Sequence, residues 1–161
     1  MLLGWAVTLL ILAPNALLLR WPPREVPPPE KGVRRFAQVV LQAIERLGQL
    51  GCLGLPLFYR IHSPDPAARV ALAIMAAALA VYYVCWARYL LHGRRYAVLF
   101  APLWSLQLPM ALSAIVYFLA ASIVLNSVWL LPATAVLAAG HIPVSLMAYR
   151  RSQSDPGKEH R

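Results

Sequence analysis

The chain alternates between long apolar stretches and short polar connections. Five stretches are mainly apolar, at 2–19, 36–59, 70–91, 98–124 and 129–149. A helix needs about 20 apolar residues to cross the hydrocarbon core of a bilayer, and all five stretches approach or exceed that length. The pattern predicts an all-α fold, an integral membrane bundle of five transmembrane helices, in which residues 1–151 form a single domain and 152–161 a mobile cytoplasmic tail.

The second stretch differs from the others because polar residues recur along one side of it. Spacings of four, three, four and three place these residues on one helical stripe: Gln38, Gln42, Glu45, Gln49 and Cys52. Arg46 lies beside Glu45 near the middle of the stretch. An ionised group at the bilayer centre costs at least about 2.5–3.5 kcal/mol, so we expect the stripe to face the bundle interior or a water-filled cavity.

A different placement of this stretch is an amphipathic helix over 31–49 that lies in the membrane interface with its polar side in water. That placement leaves four spans, and it moves Arg88, Arg94 and Arg95 to the opposite side from the basic residues of 20–35. The charge distribution therefore favours the spanning helix.

Composition agrees with a membrane protein that has little soluble mass. The chain is 60% hydrophobic and only 13% charged, whereas soluble domains carry roughly 25% charged residues. The formal charge of +9 falls in the short connections, which is typical of topology signals and of contact with membrane lipids, so no nucleic-acid partner is predicted. Cys52 and Cys85 lie inside apolar stretches and suggest neither a disulfide framework nor a metal site.

Basic residues are distributed unevenly between the two ends of the predicted bundle. With five spans, the first and third connections and the tail share one side, which holds twelve of the 15 Lys and Arg residues. The other side holds Arg60 and Arg69. Because Lys and Arg accumulate on the cytoplasmic side, we expect a bacterial inner-membrane protein with its N-terminus outside and its C-terminus in the cytoplasm.

Polar residues of different stretches fall at similar depths along their helices. With a rise of ~1.5 Å per residue, most lie about 12–15 Å from the cytoplasmic ends of their stretches, and Asn15 about 6–8 Å. The set comprises Glu45, Gln107, Tyr82, Tyr83, His141 and Asn15. Polar groups in hydrocarbon need partners, so the pattern predicts a polar chamber in the cytoplasmic half of the membrane.

Glu45 and Arg46 point about 100° apart on a helix and are expected to meet different neighbours. Glu45 is expected to meet a group such as His141, and Arg46 a tyrosine hydroxyl or a carbonyl. The first functional hypothesis is binding or transport of a small polar or amphipathic ligand in this chamber. Its candidate ligand-binding residues are Glu45, Arg46, His141, Gln42, Gln49, Gln107, Tyr82, Tyr83 and Asn15.

Two other hypotheses remain open. In one, the chain is an accessory or scaffold subunit whose polar layer only fixes helix packing, and a homo-oligomer or a partner helix docks at Gly48, Gly51 and Gly54. In the other, the chain is an intramembrane enzyme acting on a lipid or isoprenoid, with Glu45 or His141 as general base. The sequence has no HExxH, CxxC, glycine-rich phosphate loop or GxSxG motif, so no cofactor or metal is predicted and an enzyme is not favoured.

Several motifs resemble those of a family of small uncharacterised bacterial multipass membrane proteins. They are APN in the first stretch, PPREVPPPEK in the first connection, ERLGQLGC in the second stretch, LNSVWLL before the fifth and GHIP within it. The resemblance covers most of the chain and implies no activity.

The translocator-protein family also has five spans and about this length. Pro22-Pro23-Arg24 resembles its first-loop motif, and Asn126 with Trp129 resembles its Asn/Trp motif. That motif belongs in the family's third span but opens the fifth stretch here, and the aromatic-rich second span is missing. This resemblance is therefore disfavoured.

Overall fold

A computed structural model of the chain describes residues 4–28, 32–61, 65–104 and 106–153, without the side chains of residues 33 and 34. The predicted all-α class is confirmed for these residues, which form helices and two isolated bridges but no strand. The helices are α1 (Trp5–Leu12), α2 (Leu17–Arg20), α3 (Val33–Gly54), α4 (Pro66–Leu91), α5 (Tyr96–Phe100), α6 (Pro109–Val124) and α7 (Leu130–Gln153). Most of the expected tail lies outside the described residues, and α7 continues to Gln153.

Two of these helices, α4 with 26 residues and α7 with 24, are long and apolar enough to cross a membrane by length and composition. The pair α1–α2 and the 16-residue α6 are shorter apolar helices. Helix α3 has 22 residues, but its polar stripe lowers its mean hydropathy. By this measure two helices, not the expected five, are clearly able to span.

The predicted fourth span, 98–124, is divided in the structure. Helix α5 ends at Phe100, and a turn follows in which the backbones of Leu103 and Leu106 bond to each other at 3.0 and 3.1 Å. Helix α6 begins only at Pro109 because proline has no N–H for an earlier turn of the helix and Leu108 adopts a left-handed conformation, with φ of 51°.

The long helices pack as antiparallel neighbours. Helix α7 lies between α3 and α6, and α4 packs along α6. The first segment, α1 with α2, completes the bundle against α4, α6 and the end of α3. The side chains of Tyr89, Tyr117, Leu125 and Leu130 are fully buried in the shared core.

The exposed side of α3 is mainly apolar, although Arg35 and Arg46 are also exposed, and its stripe of polar residues is turned towards α7. Phe36, Leu47 and Leu50 expose 72%, 65% and 72% of their surface. Glu45 and Gln49, on the opposite side, are half-buried and bond to each other. This distribution is the reverse of that expected for a helix on the surface of a water-soluble protein.

Pro14 interrupts the first segment and releases a carbonyl that a neighbouring helix satisfies. Proline has no N–H, so the carbonyl of Leu10 lacks its usual partner four residues later. The hydroxyl of Tyr83 on α4 donates to this oxygen at 2.9 Å. The next carbonyl, that of Ile11, accepts from the Asn15 side-chain amide at 3.1 Å.

The first segment and the far end of α3 are joined at one end of the bundle. Helix α3 tightens there into a 3₁₀ turn over Leu55–Phe58, and the Thr8 hydroxyl donates to the Leu53 carbonyl at 2.8 Å. The backbone N–H of Gly4 donates to the carbonyl of Tyr59 at 3.0 Å.

The opposite end of the bundle holds the first and third connections, which are rich in arginine. The Arg24 N–H donates to the Arg94 carbonyl at 2.8 Å, and the Tyr96 N–H donates to the Arg24 carbonyl at 3.1 Å. Burial raises the pKa of the Tyr96 hydroxyl, and the charge of nearby Arg151, on the last turn of α7, partly offsets that shift. We call this end the basic end.

Candidate functional site

Helices α3 and α7 approach each other backbone to backbone, and glycines make this possible. A Cβ on Gly140 would overlap the backbone of Glu45, and a Cβ on Gly48 would overlap that of Leu137. A Cβ on Gly51 would come within 2.9 Å of the Ala133 Cβ. The glycine surface predicted for a neighbouring helix is thus occupied at two positions by α7 of the same chain.

Gly54 is different, because no atom of the described residues lies within 4 Å of a Cβ built there. The expected docking of a homo-oligomer or partner helix on this surface stays a prediction.

Glu45 and His141 form the centre of this interface. The Nδ1 of His141 lies 2.6 Å from Oε1 of Glu45, and the two side chains are 24% and 14% exposed, respectively. The Gln49 side-chain amide donates to the same Oε1 at 3.3 Å. The predicted meeting of Glu45 and His141 is confirmed, and Gln49 joins the pair.

The chemistry of the pair follows from its donors and acceptors. An ionised carboxylate only accepts hydrogen bonds, so Nδ1 of His141 donates to it. Nε2 of His141 has no hydrogen-bond partner within the described part of the chain. The pair can therefore present Nε2 to a ligand as a hydrogen-bonding group.

A second polar cluster lies between the first segment and α4. The Tyr82 hydroxyl donates to Oδ1 of Asn15 at 3.0 Å. Its neighbour Tyr83 donates to the Leu10 carbonyl, as described above. These three candidate residues therefore meet each other or the backbone, and none of their described hydrogen bonds reaches Glu45 or His141.

The remaining candidates are not brought to either cluster by any described hydrogen bond. Arg46 is exposed, and the expected contact with a tyrosine hydroxyl or a carbonyl is absent among the described residues. Gln42 is half-buried on α3. Gln107 lies exposed in the turn before α6, not within a helix, because the helix starts later than the sequence pattern predicts.

Sequence reasoning missed the hydroxyl groups on α7. Thr134 donates to the Leu130 carbonyl at 2.7 Å and lies 3.6 Å from Sγ of Cys52. Ser145 is also buried on this helix. Both were detectable, because Thr134 precedes His141 by seven residues and Ser145 follows it by four, which places all three on one helical face.

The described residues contain no group of three or more His, Cys, Asp or Glu side chains that could hold a metal ion. No protein-family model, curated protein or solved structure matches the chain. The two family resemblances noted in the sequence stay predictions.

Proposed function

We propose that the chain is a five-span bacterial inner-membrane protein that binds a small polar or amphipathic ligand at Glu45 and His141. The observation that carries this proposal is an ionisable, hydrogen-bonded pair whose ring nitrogen Nε2 has no partner among the described residues. The pair lies between two helices whose exposed side chains are mainly apolar, with Arg46 as an exception on α3. Ionisable groups within a membrane are costly to maintain and occur mainly where they have a function.

The packing of α3 supports its assignment as a span. It lies antiparallel to α7, with Glu45 opposite Gly140 and Gly51 opposite Ala133. If α7 crosses the membrane, α3 lies alongside it through the same depth. The polar stripe of α3 faces α7 and not water, which disfavours the interfacial helix considered from the sequence.

The basic end faces the cytoplasm in this proposal. The arginines of the first and third connections lie there together, whereas Arg60 and Arg69 belong to the connection at the other end. Lys and Arg are enriched on the cytoplasmic side of membrane proteins. Glu45 and His141 would then lie near the middle of the membrane, because each is within two residues of the midpoint of its helix.

The proposed ligand is recognised by charge and hydrogen bonding at one point. Glu45 accepts from a cationic or hydroxyl group, and Nε2 of His141 offers a second polar contact. Transport, as opposed to binding alone, would imply a homo-oligomer, because a single chain of 161 residues is small for a transporter.

The test compares wild type with Glu45→Gln and His141→Gln in lipid nanodiscs, by thermal unfolding across pH and a panel of polar and amphipathic metabolites. We expect at least one compound to raise the wild-type Tm and to lose that effect in both variants. Glu159→Gln is the matched control, because it makes the same chemical change near the C-terminus of the sequence, far along the chain from Glu45. If every compound that raises the wild-type Tm keeps its effect in Glu45→Gln, a binding role for the pair is contradicted.

The second candidate is a scaffold role, and one specific observation favours it. Glu45 contacts Gly140 through its backbone and His141 through its side chain, so the pair also fixes the register of α3 on α7. In that case Glu45→Gln is less stable than the wild type, and no compound in the panel raises the wild-type Tm. The next experiment is then a search for a partner protein.

A further inference from the structure

Two cavities open at the basic end, away from Glu45 and His141. The larger has a volume of about 480 Å³ and is lined by Arg24, Glu25, His92, Gly93, Arg95 and Val98. Ligand sites in proteins typically occupy about 300–1,000 Å³. We propose that this cavity binds the phosphate group of an anionic ligand, and that a phospholipid headgroup is its source. The proposal does not depend on the Glu45–His141 site, but its lipid source rests on the proposed membrane topology.

The cavity has a defined backbone frame. Arg24 bonds through its N–H and its carbonyl to the backbone of Arg94 and Tyr96, which joins the first connection to the turn after α4. Glu25, Gly93 and Arg94 have φ values of 58°, 73° and 62°. Left-handed backbone is uncommon for residues other than glycine, and its concentration around one cavity indicates that the shape of the cavity is maintained.

The charges of the lining match a phosphate diester. Arg24 and Arg95 bring two guanidinium groups, which bind phosphate oxygens in a bidentate geometry. Glu25 contributes one carboxylate, which suits a hydroxyl or ammonium group next to the phosphate. Counting these three side chains alone, the lining carries one net positive charge against the single negative charge of the diester.

Apolar neighbours favour a lipid over a soluble phosphate. A second cavity of about 360 Å³ lies nearby, lined by Trp21, Leu90 and Arg94. Leu91, next to Leu90, is 84% exposed. Acyl chains beside these side chains would leave the headgroup at the arginines, on the side of the membrane where anionic lipids attract basic residues.

The test measures binding of phosphatidylglycerol to the purified full chain by native mass spectrometry. The variant is Arg24→Gln, which leaves the backbone hydrogen bonds of Arg24 in place. The matched control is Arg20→Gln, an exposed arginine near this end that does not line the cavity. Loss of a charge-assisted hydrogen bond weakens binding by about tenfold or more, whereas loss of a surface arginine weakens it by about fivefold at most.

We expect Arg24→Gln to weaken binding by about tenfold and Arg24→Lys to recover part of that loss, since lysine keeps the charge without the bidentate geometry. Equal effects of Arg24→Gln and Arg20→Gln would overturn the proposal. A separate arm titrates glycerol 3-phosphate. If glycerol 3-phosphate raises the Tm of the wild-type protein and the lipid does not bind, the cavity is a phosphate site for a soluble ligand and the lipid source is overturned.

Discussion

Two polar clusters within the bundle differ in what their side chains do. Between the first segment and α4, the hydroxyl of Tyr83 completes a backbone that Pro14 has interrupted. Between α3 and α7, Glu45 and His141 bond to each other and leave Nε2 unpartnered within the described chain. The first cluster is explained by the needs of the backbone. The second is not, and this difference directs the search for function to α3 and α7.

The largest effect is expected from a side chain that forces α3 and α7 apart. Gly140→Val places a side chain where the backbone of Glu45 already lies, and should destabilise the protein by about 3 kcal/mol or more. The measurement is the yield of monodisperse protein and its unfolding free energy in bicelles. Gly54→Ala is the control, because no described atom lies within 4 Å of a Cβ at that position, and it should change stability by at most about 1 kcal/mol. Similar losses in both variants would refute the close approach.

The next effect concerns the bond that compensates for Pro14. Tyr83→Phe removes the donor to the Leu10 carbonyl and should cost about 1–2 kcal/mol of unfolding free energy. In a Pro14→Ala background the residue at 14 can donate to that carbonyl, so the same substitution should cost less. A double-mutant cycle measures the coupling. Additive effects of the two substitutions would show that Tyr83 does not replace the missing N–H.

A smaller effect is expected at the ionisable pair. Glu45→Gln keeps the size of the side chain and a hydrogen-bond acceptor for His141, so it should cost less than about 1 kcal/mol. Ranking it against Tyr83→Phe in the same unfolding assay sharpens the comparison of the two clusters. A Glu45→Gln loss greater than that of Tyr83→Phe would assign Glu45 mainly to packing.

The smallest loss of stability is expected at Arg46. This side chain is exposed and has no described partner, so Arg46→Gln removes no described contact and should not lower the unfolding free energy. Under the proposed topology it also removes a charge that faces lipid, which should stabilise the protein. The same variant tests the predicted ligand-binding role of Arg46. If Arg46→Gln is as stable as the wild type but loses a ligand-induced Tm shift, Arg46 belongs to the binding site.

Ionisable residues were the part of the site that the sequence could predict. Glu45 and His141 are conspicuous within apolar stretches, and counting helical rise places them at one depth. The depth predicted for Gln107 was wrong because a count of helical rise requires an unbroken helix, and α6 starts only at Pro109. Thr134 and Ser145 were overlooked because hydroxyls are common in apolar helices and carry no charge.

The helical faces were predictable from spacing, but the partners of those faces were not. The stripe on α3 was recognised, yet spacing alone cannot tell that α7 lies against it. Similarly, Asn15 and Tyr82 were expected in one chamber with Glu45, whereas Asn15 bonds to Tyr82 on α4 and neither has a described bond to Glu45. Which helices pack against each other depends on where glycines allow close approach and where prolines interrupt a helix. The spacing of polar residues along the sequence does not contain this information.

The bond between Tyr83 and Leu10 has a consequence for how the protein is made. Its two residues are 73 positions apart, and ribosomes add about 5–20 residues per second. Under the proposed topology, the ribosome adds Tyr83 on the order of 4–15 s after Leu10, because Tyr83 lies on α4, the third span to enter the membrane. Throughout that interval the carbonyl of Leu10 lacks its hydrogen-bond donor. The insertion machinery, and not the finished bundle, must then keep this carbonyl out of contact with lipid.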